Sequence, residues 1–229
     1  MAEIAVSFPA FFITFVVLIW FTLLVFTKKW FSLTGKIFTS HLFVKTIWFF
    51  GIFLTGLNSF ELVNLGGVLF LIGGWGLGYT MLLFATTILY GDEFFKKFFK
   101  WSLIASIIFF MTFFFIKPFE LVPEDSGYYF QLTNYFLLPA LVLSTSYYLT
   151  IFIFFYYSRN APKGNYFSLF AIGLLTHALP AHALVILEFF FGFRNLILNM
   201  EYFSLFGFAL ALFAYFKGIE KKKVVRRRN

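Results

Sequence analysis

His177, Pro180 and His182 stand within residues 174–188, in a run otherwise apolar enough to cross a membrane. An ionisable group inside such a run is costly, and it usually faces a partner, a cavity or a bundle interior. An imidazole placed there can serve as a switchable hydrogen-bond donor, a metal ligand or a haem ligand. Five residues apart, the two rings diverge by ~140° around an ideal helix. They therefore do not aim at one metal, and the i, i+4 spacing of zinc-binding helices is absent. A kink at Pro180 would change that angle and free a carbonyl near His177. Haem needs a second axial ligand from a facing helix. The third histidine, His41, counts to ~8 Å from the cytoplasmic edge, too shallow to match His177, so haem is not expected. His41, Lys45 and Trp48 fall at i, i+4 and i+7, on one face of a helix. That spacing favours an inward stripe over a lysine snorkelling to the interface.

Counting ~1.5 Å per residue from the cytoplasmic edge puts Lys45 ~13 Å deep and Tyr79 and Thr80 ~17 Å deep. Ser144, Thr145, Ser146, Tyr147 and Tyr148 count to ~15–21 Å, and Thr176 and His177 to ~18 Å. Four helices thus carry polar groups at one level, as a ligand pocket inside a helical bundle requires. The candidate ligand-binding residues are Lys45, Tyr79, Thr80, Ser144, Tyr147, Tyr148, Thr176 and His177. His41, Trp48, Pro180 and His182 form a second rank. Lys45 would supply positive charge, His177 a switchable donor, and the hydroxyls would orient the ligand. The plainer alternative is that hydroxyls in membrane helices bond a neighbouring helix or their own backbone.

These residues need spans to hold them, and composition supplies the spans. Of 229 residues, 61% are hydrophobic and 12% charged, against about 45–50% apolar and about 25% charged in soluble domains. The expectation is an integral membrane protein. Apolar runs cover about 5–27, 37–57, 63–90, 101–116, 132–157, 166–190 and 196–216, followed by a basic tail at 217–229. They are too long and too continuous for barrel strands. The expected fold is all-α, one seven-helix transmembrane domain. Six glycines in the third run (Gly66, Gly67, Gly73, Gly74, Gly76, Gly78) offer small-residue surfaces for close helix approach. The longest polar connection is 117–129.

Lys28, Lys29, Lys36, Lys96, Lys97, Lys100, Arg159, Lys163, Lys217, Lys221–Lys223 and Arg226–Arg228 fall on the side of the C-terminus, 15 of the 18 basic residues. The positive-inside rule then places the N-terminus outside and the C-terminus in the cytoplasm, in the cell membrane. It also accounts for the net charge of +8, so nucleic acid is not an expected partner. Bilayer lipid is, with anionic lipid at the basic tail and other membrane subunits as further partners.

The absence of cysteine excludes disulfides, thiol catalysis and cysteine-ligated metal. No Walker sequence, HExxH or GxSxG occurs, and no nucleophile or carboxylate pairs with the histidines at their depth, so an enzyme is the least favoured class. Seven helices in this orientation are the plan of rhodopsins and many receptors. The likeness stops at topology, because 196–216 carries no lysine and a covalent retinal there is excluded. The leading functional expectation is a sensor, receptor-like or transport protein with a midplane small-molecule pocket. The alternative is a membrane-embedded subunit of a larger complex, structural or holding haem, quinone or carotenoid.

Overall fold

A computed structural model describes residues 12–23, 32–57, 59–124, 127–160, 164–191 and 197–219. Helix dominates them. In chain order they form α1 (Phe12–Leu23), α2 (Leu33–Thr55), α3 (Phe60–Phe115), β1 (Phe119–Glu124), β2 (Gly127–Leu132), α4 (Leu137–Asn160), α5 (Gly164–Phe191) and α6 (Ile197–Ala214). A 3₁₀ turn at Asn134–Phe136 precedes α4, and a π-helical turn at Tyr215–Ile219 follows α6. Among the described residues, α2 and the stretch Phe60–Thr112 of α3 are long and apolar enough to cross a membrane. By contact density the chain divides into two units, Met1–Ser146 and Tyr147–Asn229, with α4 beginning in the first and ending in the second. The basic tail from 220 onward, Lys28, Lys29, Lys163 and Arg194 lie outside the described residues.

In the first unit, Ser32 starts α2. Its hydroxyl accepts the Gly35 amide at 2.9 Å and its carbonyl accepts the Lys36 amide at 2.8 Å, which satisfies donors that a helix start leaves open. Ser59 plays the same part for α3, its carbonyl taking the Val63 amide at 2.9 Å. Its hydroxyl donates to Glu61 at 2.7 Å. Glu61 also places negative charge at the positive end of the helix dipole.

α2 and the first arm of α3 pack antiparallel with their backbones nearly touching. A Cβ on Gly51 would lie 2.5 Å from the Phe70 amide nitrogen, and one on Gly66 would lie 2.8 Å from the Gly51 carbonyl. Gly73 meets the Trp48 backbone, and Gly76 meets the Val44 side chain. Glycine at these positions lets the helices close to backbone contact. Phe38, Leu42, Phe49, Met81 and Phe84 fill the buried seam, with the Phe38 and Phe84 rings 5.4 Å apart.

α3 reverses direction within one residue. Gly91 has φ 82° and ψ −178°, a conformation essentially confined to glycine. Tyr79 then meets Ser102, and the Trp75 ring lies 5.1 Å from that of Phe110. Residues this far apart in sequence would be ~30 Å or more apart on a straight helix, so the two arms form a helical hairpin. Residues 91–100 separate two of the apolar runs, and the helix resumes directly after Gly91 and carries Lys96, Lys97 and Lys100.

The second arm ends where Lys117 takes φ 48° before Pro118, a proline that disfavours helix at the residue preceding it. β1 and β2 then pair antiparallel, Phe119 opposite Leu132 and Glu124 opposite Gly127. This hairpin is an addition to the all-α expectation, which read 117–129 as a connection and 132 as the start of a helix. Thr133 closes its base, bonding the Lys117 and Pro118 carbonyls. Tyr128 sets its ring edge-on to Phe60 at 5.1 Å, placing the hairpin at the start of α3.

In the second unit α5 and α6 repeat the glycine device. A Cβ on Gly173 would meet the Ala211 nitrogen at 2.5 Å, and one on Gly207 would meet the His177 nitrogen at 2.5 Å. Gly218, in the π turn, lies against Tyr166. Phe154 from α4 packs on Phe167 and Phe170 of α5, which completes the core of this unit with Leu174, Phe208 and Tyr215.

Candidate functional site

The candidate residues fall into three groups, two in the first unit and one in the second. In the first group α2 buries both His41 and Lys45 completely, one turn apart. Thr80 of α3 faces them, its hydroxyl 2.9 Å from His41 Nδ1. The same hydroxyl lies 2.7 Å from the Gly76 carbonyl. His41 and Thr80 share one hydrogen bond, whose direction follows the imidazole tautomer. Lys45 Nζ lies 5.2 Å from the Phe49 ring centroid and 5.9 Å from that of Trp48, within the range of a cation–π contact. Trp48 in turn stacks on Phe70 at 5.8 Å. The i, i+4, i+7 face thus holds an imidazole, an amine and an indole along one side of α2. Counting depth from charged residues set His41 ~8 Å and Thr80 ~17 Å deep, yet they touch. Part of the discrepancy is that α2 begins at Leu33, ahead of Lys36, from which the count was taken.

Tyr79 belongs to a different group from its neighbour Thr80. Its hydroxyl lies 3.0 Å from Ser102 Oγ, which itself donates to the Phe99 carbonyl at 3.1 Å. Its ring is parallel to Trp75 at 6.0 Å. Tyr79 therefore ties the two arms of α3 together and does not join His41, Lys45 and Thr80. Ser102 went unseen in sequence because residues 91–100 separate two of the apolar runs. With Gly91 as the turn, Tyr79 and Ser102 stand twelve and eleven residues from it, and so face each other.

The second unit brings Tyr147, Tyr148, His177 and His182 together. Tyr147 and His177 are buried, with ring centroids 6.3 Å apart. Tyr147 also meets His182 edge-on at 6.4 Å, so both histidines border one phenol ring despite their divergent directions. Tyr148 hydroxyl and His182 Nδ1 lie 3.0 Å apart, both residues half-buried. Phe208 of α6 covers His177 at 5.5 Å, a neighbour that sequence did not indicate.

The remaining candidates turn to their own helices. Thr176 donates to the Ile172 carbonyl at 2.9 Å and Thr145 to that of Leu141 at 2.7 Å. Ser146 donates to Val142 at 3.0 Å. Ser144 makes no side-chain hydrogen bond to a described residue. The side chain of Pro180 lies outside those described, and α5 continues through its position. Among the described residues, no three His, Asp or Glu side chains gather as a metal site.

No family model matches this chain, and no curated protein matches it in sequence.

Proposed function

We propose that this chain is an integral membrane protein of seven spans, N-terminus outside and C-terminus in the cytoplasm. In it, polar groups buried in the helices hold a small molecule, and the protein acts as a sensor or in transport. One observation carries the reading: the helices bury ionisable and polar side chains within an apolar core while leaving large apolar side chains exposed. Lys45, His41, Thr80, Thr150 and His177 are buried. Large apolar side chains such as Phe43, Leu65, Ile108, Phe152 and Phe206 are exposed. In water that arrangement loses on both counts, since buried polar groups cost free energy and large apolar surfaces are left wet. In hydrocarbon it is favourable, and ionisable groups facing inward there mark ligand or ion sites.

The test uses Lys45→Ala and His177→Ala in lipid nanodiscs. A compound selected because it raises the melting temperature of the unchanged protein should bind the variant of the unit that holds it, Lys45→Ala in the first or His177→Ala in the second, about tenfold or more weakly, the scale of a lost hydrogen bond to a charged group. Both variants should still fold. If both unfold and no compound shifts the unchanged protein, these are packing residues and the reading fails.

A second reading, a membrane-embedded subunit of a larger assembly, is favoured by one specific feature. The second arm of α3 exposes Trp101, Ile104, Ile108, Met111 and Phe115, which follow the 3–4 spacing of a helix-pairing seam. Co-purification of partner chains in mild detergent would support it, and a monomer of undiminished stability would contradict it.

A further inference from the structure

The geometry points to the Tyr148–His182 pair of the second unit as the head-group site of a membrane-soluble quinone, with its ring against Tyr148. The inference rests on the membrane reading above and names the ligand class for one of its groups. Tyr148 hydroxyl and His182 Nδ1 are 3.0 Å apart and share one hydrogen bond. If the phenol donates, the proton of the neutral imidazole is on Nε2 and has no acceptor among the described residues. If Nδ1–H donates, the phenol hydrogen is left over instead. In either tautomer one donor has no acceptor among the described residues, and neither residue is sealed inside the protein.

A leftover donor in water is satisfied by water. Within two apolar helices it is not, and leaving it unpaired carries a free-energy cost. Tyr148 is eleven residues from the start of α4 and twelve from its end, far from either interface. Phospholipid ester carbonyls stay at the interfaces and do not reach it. An acceptor carried by a molecule that dissolves in the hydrocarbon can reach it. The neighbouring surface is aromatic: the Tyr148 and His182 rings are 5.2 Å apart, and Tyr147 meets His182 edge-on. A quinone joins a flat ring that stacks on such surfaces, a carbonyl that accepts one hydrogen bond, and a tail that partitions into lipid. The proposal concerns binding alone.

The experiment measures binding of decylubiquinone to the full-length protein in phosphatidylcholine nanodiscs, by calorimetry and by melting temperature. Infrared difference spectra follow the quinone carbonyl. The unchanged protein should bind saturably at one site, with the carbonyl stretch shifted down by hydrogen bonding. His182→Phe, which removes the pair, should weaken binding about tenfold, and Tyr148→Phe by about threefold to tenfold, the scale of one neutral hydrogen bond. The 1,4-dimethoxy analogue of the probe, which has no quinone carbonyl, should bind at least tenfold more weakly than the quinone. Equal binding by that analogue, or unchanged binding by a folded His182→Phe variant, overturns the assignment. So does an absence of saturable binding to the unchanged protein. A total lipid extract of the source membranes separates the two levels of the account. If the extract raises the melting temperature in a His182-dependent way while decylubiquinone does nothing, the quinone assignment falls and the small-molecule reading stands. If neither shifts it, both fall.

Discussion

At the scale of single residues, the buried imidazole of His41 meets the Thr80 hydroxyl at 2.9 Å. Thr80→Val keeps the side-chain shape and removes the hydroxyl that meets His41 Nδ1 in the α2–α3 seam. The expected loss is about 1–3 kcal/mol, the cost of removing one partner of a buried hydrogen bond. It should appear in denaturant unfolding from mixed micelles. Adding His41→Phe to Thr80→Val should restore most of the loss, because removing both polar partners is far cheaper than removing one. Two additive losses would contradict the assigned bond. Part of this residue-level picture was legible in sequence. The His41, Lys45, Trp48 spacing identified one side of α2, and the side chains there do meet. That Thr80 faces His41 while Tyr79 faces away was not legible. Adjacent residues on a helix point about 100° apart, and only the position of the second arm of α3 decides which of them meets which neighbour.

At the scale of elements, glycine has two distinct uses, and substitution should tell them apart. Gly91→Ala introduces no collision, since nothing lies within 4 Å of the added atom, but φ 82° is hostile to any side chain. A destabilisation of about 1–3 kcal/mol from backbone strain is expected. Gly73→Ala has ordinary helical backbone, but its Cβ would stand 2.5 Å from Trp48 Cα, so α2 must move. The cost is again about 1–3 kcal/mol, now from overpacking. Shortening Trp48 to alanine would leave that collision in place because it is with backbone. Both losses would be read from melting temperatures in one detergent, and a neutral Gly73→Ala would contradict the close α2–α3 approach. The sequence indicated that glycines in the third apolar run let helices approach closely, but not which ones. Gly66, Gly73 and Gly76 lie against α2. The β1–β2 hairpin was hidden by Pro123 and the polar run after it, which read as loop. The short apolar stretches Phe119–Val122 and Tyr128–Leu132 on either side were the available signal.

At the scale of the whole molecule, the strongest sequence signal was charge asymmetry, and the structure supplies landmarks at which to read it. The first arm of α3 spans from Phe60, beside the hairpin, to Gly91, about 45 Å at 1.5 Å per residue. The hairpin, which carries Glu120, and the turn, with Lys96 and Lys97 just beyond it, therefore stand at opposite ends of the first unit. The account requires a membrane between them, with the hairpin outside. The most direct measurement is labelling of single cysteines, which is clean because the chain has none of its own. Glu120→Cys and Lys97→Cys would be expressed in intact cells and treated with a membrane-impermeant maleimide before and after lysis. The account predicts that position 120 is labelled in intact cells and position 97 only after lysis. The reverse pattern would contradict the orientation, and equal labelling of both positions in intact cells, or of neither before lysis, would contradict a membrane-spanning first unit.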